Sequence, residues 1–180
     1  MTATQRIGLP AFLAFLACVP LANWMIHHVG TFCDAKGVCY LPVAPGLLAP
    51  SGVITIGVAL VLRDVVQRCL GKGWSLVAIV LGTAISALIA PPALVLASAA
   101  AFLLSEIADF AVYTPLQQRR LVLAVVASSL VGLVVDSVAF LLLAFGSLDF
   151  LAGQIVGKAW AVAVSVPFIR LLRRVAPAPA

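Results

Sequence analysis

The chain has 180 residues, of which 64% are hydrophobic and 9% charged, and its mean hydropathy is +1.21. A soluble domain runs at about half apolar and a quarter charged, so a water-soluble enzyme or binding module is excluded and a lipid bilayer is the expected surroundings. The formal charge of +5 comes from Lys and Arg at the ends of apolar runs and not from a basic patch interleaved with aromatics, which argues against nucleic acid as a partner.

Taken in order, the first apolar run, 7–26, follows Arg6. Its charged start and the segment Phe15-Leu16-Ala17-Cys18 resemble a signal peptide with a lipoprotein cleavage box. Apolar character nevertheless continues to Ile26, long enough to span a bilayer, and retention as helix one is expected. Residues 27–49 form the one long polar stretch, an extracytoplasmic loop rich in Gly and Pro that holds Asp34 and Lys36. Cys33 and Cys39 share it, which leaves both a disulfide and free thiols open. His27 and His28 lie nearby, but the spacing fits none of the usual zinc patterns and they are read as interfacial loop residues; no metal is expected. Cys18 and Cys69 are read as small packing residues.

The second span, 50–70, enters at Pro50-Ser51-Gly52 and carries Arg63, Asp64 and Arg68 in its inner third. A turn at Gly71-Lys72-Gly73-Trp74 precedes the third span, 75–90, and Pro91-Pro92 forces the next reversal, because proline neither donates a hydrogen bond nor continues a helix. The remaining spans are 93–116, 121–145 and 151–172, separated by Gln117-Gln118-Arg119-Arg120 and by a turn at 146–150, and a Pro/Ala tail follows Arg173-Arg174. The expected fold is all-α: one domain, 1–180, built as a polytopic membrane bundle of six helices. With the N-terminus inside, Arg6, Arg68, Lys72, Arg119, Arg120, Arg170, Arg173 and Arg174 all fall near the cytoplasmic side, leaving only Lys36 opposite. The loop bias of Lys and Arg therefore puts both termini in the cytoplasm.

Ionisable groups deep in a bilayer are expensive and mark functional positions. Counted at about 1.5 Å per residue, Asp64 and Glu106 share one layer, Asp109 lies a turn deeper, and Asp136 and Lys158 lie nearer the outer surface. All are expected to line one inward-facing cavity. Phe102, Glu106, Asp109 and Tyr113 recur at helical spacing on one face, as do Ser129, Gly132 and Asp136, and nearly so Gln154, Lys158 and Ser165. Some of these charges can serve only as ion pairs, for example Lys158 with Asp136 or Arg63 with Glu106. Carboxylates outnumber bases at this depth, however, which leaves some for a substrate, an ion or a proton. Helices two, four, five and six are expected to work, and one and three to act as a frame. The pairs Gly82/Ser86 and Ser128/Gly132 have the small-xxx-small spacing of close helix packing. No nucleotide-binding loop, zinc-protease helix motif or nucleophile elbow occurs, so neither an enzyme nor a cofactor is expected.

Four segments together carry a family resemblance: Leu62-Arg63-Asp64-Val65-Val66-Gln67; Ala101 through Glu106 and Asp109 to Tyr113; Ser128-Ser129 through Gly132 to Asp136-Ser137; and Gly153-Gln154-Ile155-Val156-Gly157-Lys158. In their order and spacing over about 52–170 the chain resembles the VUT family, vitamin uptake transporters that include the bacterial queuosine precursor transporters. The resemblance implies a six-helix carrier in the bacterial cytoplasmic membrane, with a 7-deazaguanine as cargo in the characterised branch. By position, Asp64, Glu106, Asp109, Asp136, Gln154 and Lys158 match its recurrent polar sites. This chain departs from the family at Arg68-Cys69-Leu70-Gly71, where many relatives have a second acidic residue and Tyr-Gly. Glu106 or Asp109 suits the paired N–H donors of a guanine-like edge, Asp136 or Asp64 an aminomethyl cation, and Phe102 or Tyr113 a stacked ring. The substrate-binding membrane subunit of a larger ATP-driven vitamin importer is the alternative.

Overall fold

The computed structural model describes residues 3–35, 37–90 and 94–175. Lys36, the Pro91-Pro92 turn, the first residue of the fourth predicted span, the side chains of Arg173 and Arg174, and the Pro/Ala tail lie outside the described residues. Six helices are present among the described residues: α1 (Ala3–His28), α2 (Val53–Leu70), α3 (Lys72–Ile89), α4 (Val95–Leu116), α5 (Leu121–Phe145) and α6 (Leu151–Val175). Their ends lie close to the apolar runs because long apolar segments can satisfy their backbone groups within a helix.

Five of the six are long and apolar enough to cross a membrane. The exception is α2, the one helix whose 18 residues carry Arg63, Asp64 and Arg68 together. Those three side chains are buried, along with nine other residues of α2, and the helix packs against every other helix of the bundle. Its charges therefore face protein instead of lipid.

Chain reversals follow from glycine geometry. Gly71 adopts φ 95° and by itself joins α2 to α3, a conformation that side chains with a Cβ rarely adopt. Lys72, Gly73 and Trp74, expected in a turn, therefore fall in the first turn of α3, where Trp74 meets Phe12 of α1 edge to face at 5.4 Å. Gly146, at φ 65°, caps α5 by donating its N–H to Leu142 O.

The loop between α1 and α2 departs from the all-α expectation. It folds into a three-stranded antiparallel sheet, β1 (Phe32–Cys33), β2 (Cys39–Ala44) and β3 (Leu47–Pro50), in the order β1-β2-β3. Two features make a sheet of this loop: Cys33 and Cys39 pair across β1 and β2 and are joined by a disulfide, and β2 holds the strand-forming residues Tyr40 and Val43. Pro50, expected to open helix two, instead ends β3, paired with Tyr40, and α2 starts at Val53. The sheet is tied to the bundle: the Trp160 indole donates to Val43 O at 3.0 Å, and the Phe150 ring lies 5.1 Å from that of Tyr40.

Contacts fix the alternation of the helices. At the sheet end, Gly52 lies against the backbone of Ala22 and Gly153 against that of Leu48. At the other end, Gly8 packs against Cys69 and Leu70, and Arg68 Nη1 donates to Gln117 O at 3.1 Å. Helices α1 to α6 thus run up and down in sequence.

Candidate solute cavity and buried charge cluster

The expected single cavity resolves into two polar centres. The first faces a cavity of about 90 Å³ at the sheet end of the bundle, with Asp136, Gln154, Lys158 and Phe102 in its wall. Gln154 and Lys158 are one turn apart on α6, and Asp136 and Ser137 project from α5 towards them. Lys158 Nζ donates to Asp136 Oδ2 at 2.6 Å, to Ser137 Oγ at 2.7 Å and to Gln154 Oε1 at 2.7 Å. An ammonium has three N–H donors, so all of them are used. Lys158 is 1% exposed, and this cage offsets the loss of water around its charge. What is left for a guest is the second oxygen of Asp136, an acceptor, and the amide N–H groups of Gln154, which are donors.

The second centre is on α2, α4 and α5. Arg63 is completely buried, and its guanidinium meets three carboxyls. Nε donates to Glu106 Oε2 at 3.2 Å, Nη2 lies 2.9 Å from Asp64 Oδ1, and the same Nη2 donates to Asp109 Oδ1. Nη1 donates to Gln67 Oε1 at 3.0 Å, and Gln67 Nε2 donates to Thr114 Oγ1. Ser128 Oγ donates to Asp64 Oδ2 at 3.0 Å. The Tyr113 ring lies 5.5 Å from the guanidinium carbon, within the range of a cation–π contact. Gly132 lets α5 come close here, since a Cβ at that position would lie 3.1 Å from Asp109 Cβ.

Of the sequence-derived site residues, Phe102, Asp136, Gln154 and Lys158 meet at the cavity, whereas Asp64, Glu106, Asp109 and Tyr113 gather around Arg63 and do not line it. The two groups are neighbours, since Phe102 of the first and Glu106 of the second lie one turn apart on α4. Ser165 donates to Val162 O within its own helix, and Ser129 Oγ is buried without a hydrogen-bond partner. A reading centred on charge missed the neutral polar wall: Asn23 on α1, Ser86 on α3 and Ser98 on α4, with Phe140 on α5. Helices α1 and α3, expected to act only as a frame, therefore also line the cavity. The isolated Asn23 within an apolar run was the signal that could have revealed this. At the sheet end, His27 Nδ1 lies 2.9 Å from Gly37 O, and His28 stacks on Trp24.

Long apolar helices packed around a small polar cavity and a dry charge cluster define a multi-pass membrane protein. Comparison with protein families narrows this class. Residues 86–175 match the family described as "Putative vitamin uptake transporter", and the chain belongs to that family. The matched segment covers α4 to α6 and the end of α3; Arg63 and Asp64 of α2 precede it. Neither a curated protein nor a solved structure matches the chain.

Proposed function

We propose that this chain imports a small nucleobase-like or vitamin-like solute across a bacterial cytoplasmic membrane, with a 7-deazaguanine precursor of queuosine as the best-fitting cargo. The whole chain is one domain of six spans; α2 crosses with the rest because its charges are turned inward. Both termini are cytoplasmic, and the disulfide-linked sheet lies outside, where an oxidising compartment preserves it. The basic residues at the Arg68, Lys72, Arg119 and Arg120 end support that orientation.

The observation that carries the reading is the pairing of Asp136 with Gln154 at the cavity wall. A guanine-type edge presents two adjacent N–H donors beside a carbonyl acceptor. The spare oxygen of Asp136 accepts from the donors and the Gln154 amide donates to the carbonyl, while Phe102 offers a ring face for stacking. Lys158 holds Asp136 in place through their ion pair and holds the Gln154 amide so that its N–H groups point away from the ammonium. Transport then consists of moving the access path around a fixed site.

Proteoliposomes containing only the purified chain test the proposal. Preloaded with an unlabelled aminomethyl-bearing 7-deazaguanine, they are expected to take up the labelled compound by counterflow, and Asp136→Asn to abolish it. Uptake that appears only when an ATP-hydrolysing partner is added would establish the binding-subunit alternative instead.

A further inference from the structure

Asp64, Glu106 and Asp109 have no contact with the cavity, yet their arrangement is not that of balanced structural ion pairs. Three carboxyls converge on Arg63, and all four side chains are at most 1% exposed. The guanidinium keeps its charge at any pH a protein experiences. Full ionisation of the acids would therefore leave two surplus negative charges around it in a region closed off from the protein surface. Asp64 and Asp109 approach the same Arg63 nitrogen, and carboxyls crowded in this way do not both ionise readily. A second observation points to what is bound there: Asp109 Oδ2 is buried with no hydrogen-bond partner, as is the nearby Tyr113 hydroxyl. A metal cation is a poor candidate, since a hard cation requires several oxygen ligands and would sit beside a guanidinium. No metal-holding group of His, Cys, Asp and Glu occurs among the described residues. A proton needs only one oxygen.

We propose that the Asp64–Asp109 pair, held by Arg63, is a proton-coupling site distinct from the solute cavity. This rests on the transport reading. In each cycle a carboxylate oxygen of the pair forms an O–H bond with a proton taken from water on the outer side. The bond breaks when the site opens inward, and the proton returns to cytoplasmic water. The groups that act on the pair are Arg63 on α2, Glu106 and Tyr113 on α4, and the Ser128 hydroxyl on α5. Arg68 and Cys69 of α2 face Tyr113 and not the pair itself, and Asp136 of α5, held by Lys158 of α6, belongs to the neighbouring cavity wall. Glu106, one turn from Phe102 on α4, is the member of the cluster next to the cavity wall.

The test measures solute and proton together in proteoliposomes containing a pH-sensitive dye. With the labelled aminomethyl-bearing 7-deazaguanine, wild type is expected to perform counterflow, to acidify the lumen on solute addition, and to accumulate solute about tenfold for each unit of inward proton gradient. Asp109→Asn is expected to keep counterflow while losing both acidification and accumulation. Counterflow by wild type without acidification, accumulation driven by sodium, or coupling that persists in Asp109→Asn would each overturn the proton site while leaving transport standing. Absence of counterflow in wild type would instead remove the transport reading and the coupling with it. Infrared difference spectra provide a readout independent of transport. A carboxylic-acid C=O band that shifts in D₂O is expected in wild type and lost in Asp109→Asn or Asp64→Asn; its absence from wild type would contradict the proposal. Asp64→Asn serves if Asp109→Asn fails to fold.

Discussion

Arg63→Leu would strand Asp64, Glu106 and Asp109 in a dry interior, and breaking a buried charge network in this way costs on the order of 3–5 kcal/mol. The expected result is a clear fall in the melting temperature of the purified protein; an unchanged melt would mean that the carboxyls do not depend on the guanidinium. Lys158 and Asp136 allow a sharper comparison. Lys158→Met alone leaves the Asp136 carboxylate unpaired and is expected to destabilise by a similar amount. The double variant Lys158→Met with Asp136→Leu removes both charges and should recover much of the loss, while uptake stays abolished because the solute has lost its carboxylate. These charges could be read from the sequence because ionisable residues are rare in apolar helices, and depth counting already put Asp64 with Glu106 and Asp136 with Lys158. Whether the layers form one site or two depends on which way each helix is turned about its axis. That rotation is set by packing between helices and is not written in any one of them. Neutral residues such as Asn23 and Ser98 escaped because only their neighbours distinguish a cavity wall from a helix interior.

The helices owe their mutual approach to small residues. Gly57 is a strong case: a Cβ there would lie 2.8 Å from Lys158 O and 2.9 Å from Lys158 Cα, and this close backbone approach seats α6 against α2. Gly57→Val is expected to cost about 1–3 kcal/mol through overpacking and to disturb the Lys158 cage, measurable as a lower melting temperature with weakened solute uptake. Gly82 was legible as a small-residue position, but what it accommodates, the Phe102 ring, was not. The same holds for residues 27–49, whose Gly and Pro content signals turns. The sheet arises from cross-strand pairing around Cys33 and Cys39, which local composition does not reveal. In this sheet, burial first, then the charge of Asp34 and a hydrogen bond to it, push the Tyr40 phenol up to about 12. The folded sheet thus favours the neutral phenol. Its contribution to stability is full below the ordinary tyrosine value of about 10 and declines as pH rises from there through 12. An ultraviolet titration should show one of the two tyrosines ionising late within this range, whereas a normal titration of Tyr40 would contradict its burial beside Asp34.

At the scale of the molecule, the alternation of six helices follows from contacts at both ends, and the orientation proposed for them rests on the distribution of basic residues. Single cysteines replacing Asp149 and Arg119 are expected to react with an impermeant thiol reagent from outside and from inside the cell, respectively; reaction of both from one side would refute the topology. Length and hydropathy made the number of helices legible, because lipid leaves few alternatives for an apolar segment. The cavity was not legible in this way, since all six helices contribute to its wall. Ser98, on that wall but outside both charge networks, is the position from which to probe it. In a protein lacking Cys18 and Cys69, Ser98→Cys is expected to react with a small thiol reagent at a rate that falls steeply as an aminomethyl-bearing 7-deazaguanine occupies the cavity. A rate unchanged at saturating solute would mean that the solute binds elsewhere.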